Sequence, residues 1–334
     1  MKTPRPEYPN PQFERTNWLN LNGEWDFEID NSKSGYERGI LDRPLASKII
    51  VPFCPESTLS GIGNVDYMLS VFYRRTFKIK AGDLMGNRVF FHVGACDFDT
   101  TVWINKKEVG RHAGGYTPFA FDITDYVVKG DNTVDIRADD DTLSRRQATG
   151  KQSLRYASHG CEYTRTTGIW QTVWLEIVPE NYVKNFKIYP NVENTSVTIS
   201  FELNGNAPLS VKALYDGKEV GKASLKCADY TATVTIPLSE KHLWELGCGR
   251  LYELEITFGD DIVSSYFGLR SISLDKVFKL NGKPVFQRLV LDQGFYPDGI
   301  YTAKNDATLA RDIELSMNVG NFSQIDLTGD GGEE

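Results

Sequence analysis

The strongest constraint on this chain is an alternation of apolar and polar residues that recurs along most of its length. In "RVFFHV", Val89, Phe91 and Val93 share one face. "TTVWIN" sets Val102 and Ile104 against Trp103, and "WQTVWLEIV" sets Val173, Leu175 and Ile177 against Trp170 and Trp174. A period of two sends successive side chains to opposite faces of a strand, so these segments predict half-buried strands in packed sheets. Helical spacing is nearly absent before residue 300, which predicts an antiparallel sandwich for the first part.

A second set of strands follows Pro179. "SVTISFEL" aligns Val197, Ile199, Phe201 and Leu203, and "LYELEITF" aligns Tyr252, Leu254, Ile256 and Phe258. An Asp216-Gly217 hairpin turn lies between them. About seven short strands are expected here, the pattern of a small immunoglobulin-like sandwich. A third regime starts near Lys276. It holds a hairpin around Asn281-Gly282, a short buried strand in "RLVLDQG", a loop, and then a helix with Leu309, Ile313 and Met317 four apart. Asn305 or Asp306 is the expected N-cap and Gly320 the expected stop. Strand, loop and helix in that order make the first unit of an α/β fold.

Composition narrows the partners. Net charge is −8, and no basic stripe is present, which argues against nucleic acid. No apolar run approaches the ~20 residues that span a bilayer. The N-terminal "MKTPRPEYPNPQF" lacks the apolar core of a signal peptide, so a cytoplasmic location is expected. The five cysteines are widely spaced and do not cluster with the four histidines. Free, mostly buried thiols are therefore expected, with no metal site and no cofactor.

The stretch from Asp139 to Gly168 is the first candidate for chemistry. It is long, poor in aliphatic residues, and dense in Asp, Arg, Ser, Thr and Tyr. Long loops inside compact domains are often functional. Such groups suit a polyhydroxylated ligand, because carboxylates accept from hydroxyls and arginine donates. The alternative is a solvated loop pinned by Arg–Asp pairs. The run Asp139-Asp140-Asp141 lacks the ligand spacing of a calcium loop and reads as a solvated turn. "HAGGY" reads as a tight corner next to His112, and His92 as a satisfied structural histidine.

Several motifs together resemble glycoside hydrolase family 2, which contains β-galactosidases, β-glucuronidases and β-mannosidases. "LNGEWDF", "YRRTF" and "VWINKKEVGRHAGGYTPFAFDIT" look like the amino-terminal sugar-binding domain of that family, and "YTRTTGIWQTVWLE" resembles the segment that closes it. "LYELEITF" and "FGLRSI" are similar to the end of its immunoglobulin-like domain. "FKLNGKPVFQRLVLDQGFYPDGIYTAKNDATLARDIELSMNVG" resembles the start of its (β/α)8 catalytic barrel.

The resemblance implies a mainly β chain in four parts. These are a jelly-roll sugar-binding domain over residues 1–180, an immunoglobulin-like sandwich over 181–273, the first β-α unit of an incomplete barrel over 274–320, and a non-family tail over 321–334 that is neither a strand–helix unit nor a domain cap. It also implies a retaining glycosidase with two glutamates ~5 Å apart, one acting as general acid/base and one as nucleophile. The family's acid/base glutamate follows an asparagine, and no Asn-Glu pair occurs here. The catalytic set in this chain is therefore expected to be empty, and the chain inactive alone. By the same resemblance, Glu162 stands at or next to the position where some members contact sugar hydroxyls, and Asp292 and Gln293 lie where the family lines the bottom subsite; the alternative for Asp292 is a hydrogen bond that orders its loop.

The implied substrate is a β-linked oligosaccharide or glycoside, most simply a β-galactoside. Two other functions are compatible with the residues: a stand-alone carbohydrate-binding module, and a structural piece that forms a homo-oligomer. A lone β-α unit cannot bury its strand on both faces. Leu289, Val290, Leu291 and the apolar face of the last helix are therefore expected to be exposed, with low stability around residues 285–320.

Overall fold

The computed structural model describes residues 2–318, together with the backbone of 325–327. The chain is mainly β. The first domain contains β1 (Trp18–Asn20), β2 (Gly23–Ile29), β3 (Ser47–Val51), β4 (Ser70–Ile79), β5 (Asn87–Val93), β6 (Cys96–Asp97), β7 (Asp99–Ile104), β8 (Lys107–Ala113), β9 (Phe119–Asp122), β10 (Gly130–Asp139), β11 (Gly168–Ile169) and β12 (Val173–Pro179). Two antiparallel sheets face each other in a jelly roll, one in the order β3-β2-β4-β10-β7-β8 and the other β1-β12-β5-β9. The inward residues of each alternating segment meet between them. Val89, Phe91 and Val93 of β5 and Val173, Leu175 and Ile177 of β12 pack in one core with Trp25, Tyr73, Val102 and Ile136. Trp103 points outward into a smaller cluster with Ile40, Leu41 and Phe72, which seals part of the outer face of the six-stranded sheet.

The second domain is an antiparallel sandwich of β13 (Tyr182–Asn191), β14 (Ser196–Tyr215), β15 (Lys218–Pro237), β16 (Tyr252–Phe258) and β17 (Asp261–Phe267). The seven short strands expected here are replaced by five, because β14 and β15 each run for 20 residues. Both bend where their register shifts, between Glu202 and Asn206. One half of β14 pairs with β13 and the other with β16, so a single strand serves both layers. Gly205 sits at the bend with φ +89°, and a Cβ there would lie 2.0 Å from Asn181 Oδ1. No other residue fits that corner without displacing Asn181. The hairpin turns fall where expected: Asp216-Gly217 and Asn281-Gly282 all have positive φ, as a two-residue I′ turn requires.

The two sandwiches are locked by one buried arginine. The Arg15 guanidinium donates to both carboxylate oxygens of Asp261 at 2.9 Å, to Glu176 Oε2 at 2.7 Å and to the Val183 carbonyl at 2.7 Å. Tyr8 also donates to Glu176, and Trp174 Nε1 donates to it at 3.2 Å. Glu176 belongs to β12 and Asp261 to β17, so the cluster bridges the domains. His92 stacks on Trp174 at 4.8 Å. Its Nε2 is buried without a hydrogen bond and lies 3.8 Å from Glu176 Oε2, so it is not the satisfied histidine expected from the sequence. Burial lowers its pKa and keeps the ring neutral.

The third region holds β18 (Ile272–Leu274), β19 (Phe278–Leu280), β20 (Lys283–Pro284), β21 (Val290–Asp292), α1 (Asp306–Asn318) and β22 (Ile325–Leu327). Asn305 caps α1 by accepting from Thr308 N at 3.0 Å. The expected stop, Gly320, lies outside the described residues. β21 is not the buried strand that "RLVLDQG" suggests but an open one, as expected of a lone β-α unit: Leu289 beside it and Leu291 within it are 51% and 59% exposed. The three-residue β22 pairs in parallel with β21, Val290 opposite Ile325. Strand, helix and parallel strand form one crossover unit. As expected for such a unit without neighbours, α1 buries none of its described residues, and Leu309, Ile313 and Met317 are exposed.

Two outcomes follow from this packing. Arg15→Met leaves Glu176 and Asp261 buried without their cation and should lower stability by about 3–5 kcal/mol in denaturant titration; a loss below ~1 kcal/mol, the level of an exposed pair, would show that the junction does not depend on it. In native-state hydrogen exchange, amides of α1 should open far sooner than those of β4 and β10, and equal protection would contradict the exposed packing.

Candidate functional site

The loop from Asp140 to Thr167 joins β10 to β11, and it is ordered rather than solvated. Arg165, 1% exposed, is its internal post. Its guanidinium donates to the carbonyls of Ser153 at 3.1 Å, Arg155 at 2.7 Å and Val65, and lies 4.0 Å over the Tyr67 ring. Ser153 N donates to Tyr163 O at 2.7 Å, and Tyr163 N donates to Lys151 O at 2.8 Å. His159 and Glu162 exchange both backbone bonds, which forms a small hairpin with Gly160-Cys161 at its tip. The expected Arg–Asp pairs are not what pins this loop; arginine to main-chain carbonyls does so instead.

The loop stands on three buried carboxyl groups that the sequence reading missed. Gln147 Nε2 donates to Asp140 Oδ1 at 2.6 Å, and Thr167 Oγ1 donates to Asp140 Oδ2 at 2.8 Å. Gln152 Nε2 donates to Asp97 Oδ2 at 2.5 Å, and its Oε1 accepts from Thr166 N at 2.9 Å. Thr167 N donates to Glu56 Oε2 at 3.2 Å. Glu56 Oε1 and Asp97 Oδ1 are buried with no partner. Burial pushes Glu56 up to about 8 and Asp140 up to about 6. Asp97 is raised well above the carboxylate range by burial and then by Asp140. Asp140 is thus no solvated turn residue, in contrast to the expectation from the acidic run. Gly115 permits this crowding, since a Cβ there would lie 2.5 Å from Asp97 Cγ. The Gly-Gly corner reading of "HAGGY" therefore holds, with His112 stacked on Phe119 at 4.3 Å.

Segment 293–303 of the third region docks beside this loop. The Asp298 carbonyl accepts from Ser57 Oγ at 2.9 Å and from Leu59 N at 3.1 Å, and Thr302 Oγ1 donates to the Trp170 carbonyl. Ile300 packs with Cys54, Ala95 and Trp170. Tyr163 then bridges the two parts, donating its hydroxyl to Gln293 Oε1 and stacking on Phe295 at 4.6 Å.

Of the predicted site residues, the structure brings Gln293 onto Tyr163, the neighbour of Glu162. The Glu162 carboxylate is half-buried and lies 3.4 Å from His159 Nε2. Asp292 Oδ1 accepts from Gly294 N at 2.8 Å, a bond that orders its own turn. His159 Nδ1 lies 3.0 Å from Ser153 Oγ. This is no nucleophile relay, because Ser153 is fully buried and its hydroxyl is occupied by Ala157 O and Arg155 N. The cysteines depart from the expectation of mostly buried thiols: Cys54 and Cys96 are buried, while Cys161, Cys227 and Cys248 are exposed. Among the described residues, no cluster of three His, Cys, Asp or Glu side chains is disposed to hold a metal, and no helix is long and apolar enough to cross a membrane.

The carboxyl cluster makes stability depend on pH. A carboxyl whose folded pKa is raised favours folding while it is protonated, and that contribution fades as pH rises through the folded value. Thermal stability should therefore fall as pH rises above about 4, where the unfolded carboxyls ionise, with the Asp140 contribution lost by about 6 and the Glu56 contribution by about 8. Glu56→Gln keeps an acceptor for Thr167 N and removes the charge. It should raise the Tm above that of the parent at pH ~8.5 and change it little at pH ~5. Equal alkaline loss in both proteins would show that Glu56 does not carry this dependence.

Comparison with known proteins agrees with this architecture. Residues 60–179 match the sugar-binding domain of glycosyl hydrolases family 2, and residues 181–270 match a second domain described as glycosyl hydrolases family 2. A β-galactosidase of Thermoanaerobacter pseudethanolicus is 25% identical over 242 residues, covering 66% of this chain and 31% of the relative. A β-glucuronidase of Paenibacillus borealis is 23% identical over 331 residues, covering 91% and 52%. Among solved structures, a β-glucuronidase of Ruminococcus gnavus superposes with a TM-score of 0.76 at 19% identity, over 96% of this chain and 56% of that one. The chain spans about half the length, or less, of these relatives. On the two matched sandwich domains, the chain belongs to glycosyl hydrolase family 2.

Proposed function

We propose that this chain is the substrate-orienting, amino-terminal part of a retaining hydrolase of terminal β-glycosides, of the β-galactoside type. The observation that supports this reading is the seam where Tyr163 of the sandwich loop, the neighbour of Glu162, meets Gln293 and Phe295 of the third region. The Gln293 carboxamide offers donors for sugar hydroxyls and the Tyr163–Phe295 stack an apolar surface for sugar C–H groups, with the Glu162 carboxylate one residue away in the chain as a further acceptor. The Glu162 carboxylate accepts from neutral hydroxyls and repels a uronate, which favours a galactoside over a glucuronide.

In this reading β21, α1 and β22 begin the (β/α)8 barrel, and their bare apolar face is where further barrel units pack. The residues of this chain hold and orient the sugar. Bond cleavage requires two carboxylates ~5 Å apart across the glycosidic bond. The Asn-Glu pair that the family resemblance associates with the acid/base does not occur in these 334 residues.

The purified chain should therefore show no turnover of aryl β-D-galactopyranosides or aryl β-D-glucuronides above buffer, and any turnover would refute the division of labour. It should bind methyl β-D-galactopyranoside in the millimolar range, more tightly than the glucuronide. Glu162→Gln should weaken that binding about tenfold, the scale of one hydrogen bond to a charged group. Unchanged affinity in Glu162→Gln would remove Glu162 from the site.

A further inference from the structure

Segment 163–166 carries the loop's side of the seam, and it lies just beyond the reach of the strands. The β6–β11 ladder ends with Asp97 opposite Gly168. One side chain continues that ladder. The Gln152 carboxamide stands between Asp97 and Thr166: its Oε1 accepts from Thr166 N at 2.9 Å, and its Nε2 donates to Asp97 Oδ2 at 2.5 Å. Gln152 is 1% exposed, so both bonds form away from water. A carboxamide offers the acceptor and donor of a peptide group, and here it acts as an inserted rung.

The main chain of the same residue grips the other end of the segment. Tyr163 N donates to Lys151 O at 2.8 Å, and Ser153 N donates to Tyr163 O at 2.7 Å, one bond on each side of Gln152. Residue 152 thus holds both Tyr163 and Thr166. Arg165 does a different task. Its bonds to Ser153, Arg155 and Val65 shape the turn that follows Gln152 and do not reach β6.

Asp97 is a fixed reference for both sides of the seam. It packs against Gly115, whose carbonyl accepts from Trp170 Nε1 at 2.7 Å. Trp170 meets the Tyr301 ring at 5.6 Å, and Tyr301 meets Phe295 at 6.1 Å. The third region is therefore placed from the Asp97 corner by aromatic packing, and the loop is placed from it by Gln152. The two meet where Tyr163 stacks on Phe295 and bonds Gln293.

The surroundings call for an amide at this position. The groups facing it are Asp97, with Asp140 and Glu56 behind, and the Tyr116 hydroxyl. Glutamate has nearly the same shape, but once ionised it cannot donate to Asp97 and is repelled by it. Leucine fills a similar volume and makes neither bond.

We propose that Gln152 is a positioning residue for the seam: it ties segment 163–166 to Asp97 of β6 and so sets where Tyr163, and Glu162 beside it, meet the third region. Its bearing on sugar binding rests on the function proposed above, while its bearing on the Tyr163–Phe295 contact does not.

The test reads that contact in the whole chain as a nuclear Overhauser effect between the Tyr163 and Phe295 rings. Amide spectra of β4 and β10 report whether each variant is folded. In folded Gln152→Leu the ring contact should be lost, and binding of methyl β-D-galactopyranoside should weaken about tenfold. Asp97→Asn keeps an acceptor for Gln152 and should retain both. Gln152→Glu should keep the contact near pH 5, where the two carboxyls share a proton, and lose it near pH 7.5, while the parent keeps it at both. A role in filling space alone predicts no such pH profile, and this variant decides the matter if Gln152→Leu does not fold. The proposal is overturned if the ring contact survives in folded Gln152→Leu, if Gln152→Glu matches the parent at both pH values, or if folded Asp97→Asn loses the contact. If the parent binds no sugar while the ring contact responds as described, the positioning role stands and the sugar reading of the seam falls.

Discussion

The arrangement of this molecule depends on a single guanidinium held between two carboxylates away from water. Arg15 sits on the amino-terminal arm, yet its partners lie 161 and 246 residues further along the chain. Each sandwich contributes one anion, Glu176 from the first and Asp261 from the second. Neither anion is tolerable where it is without the cation. The arm is therefore a structural member of both domains. A fixed junction also means a fixed platform: segment 293–303 finds Ser57, Leu59 and Trp170 already in place. The Tyr163–Gln293 contact inherits its geometry from that platform.

Much of the fold was legible because alternation reports directly on burial. Val89, Phe91, Val93, Val173, Leu175 and Ile177 face the core as their spacing predicts. The hairpin dipeptides were equally readable, since positive φ limits the residues that fit. Strand length was not readable. β14 passes from one layer to the other at a bulge, and the bulge leaves only a break in periodicity that resembles a turn. Arg15 gave no signal at all, since a buried charge looks like any other arginine until its distant partners are known.

The candidate site was half visible. Its loop stood out by length and polarity, and Glu162 and Gln293 came from resemblance. The carboxyl groups beneath it were hidden because an aspartate in a polar run reads as solvated. Burial of Asp140 comes from packing against residues of β6, the Cys54–Ser57 turn and the Thr166–Thr167 segment, all distant in sequence. The result inverts the usual role of such residues. Raised pKa values keep protons on groups that elsewhere carry charge, so the base of the loop behaves more like an amide network than an ionic one.

Arg165 has a consequence of another kind. It holds Val65, Ser153 and Arg155 only through their main-chain carbonyls. A carbonyl is present whatever the side chain, so those bonds survive substitution at two of the loop's own residues. The shape of the loop is thereby separated from its lettering. An exposed position such as Cys161, at the tip of the small hairpin, is free to drift while the backbone path stays the same. A lineage built on this scaffold can try new recognition surfaces one residue at a time without refolding the frame that presents them.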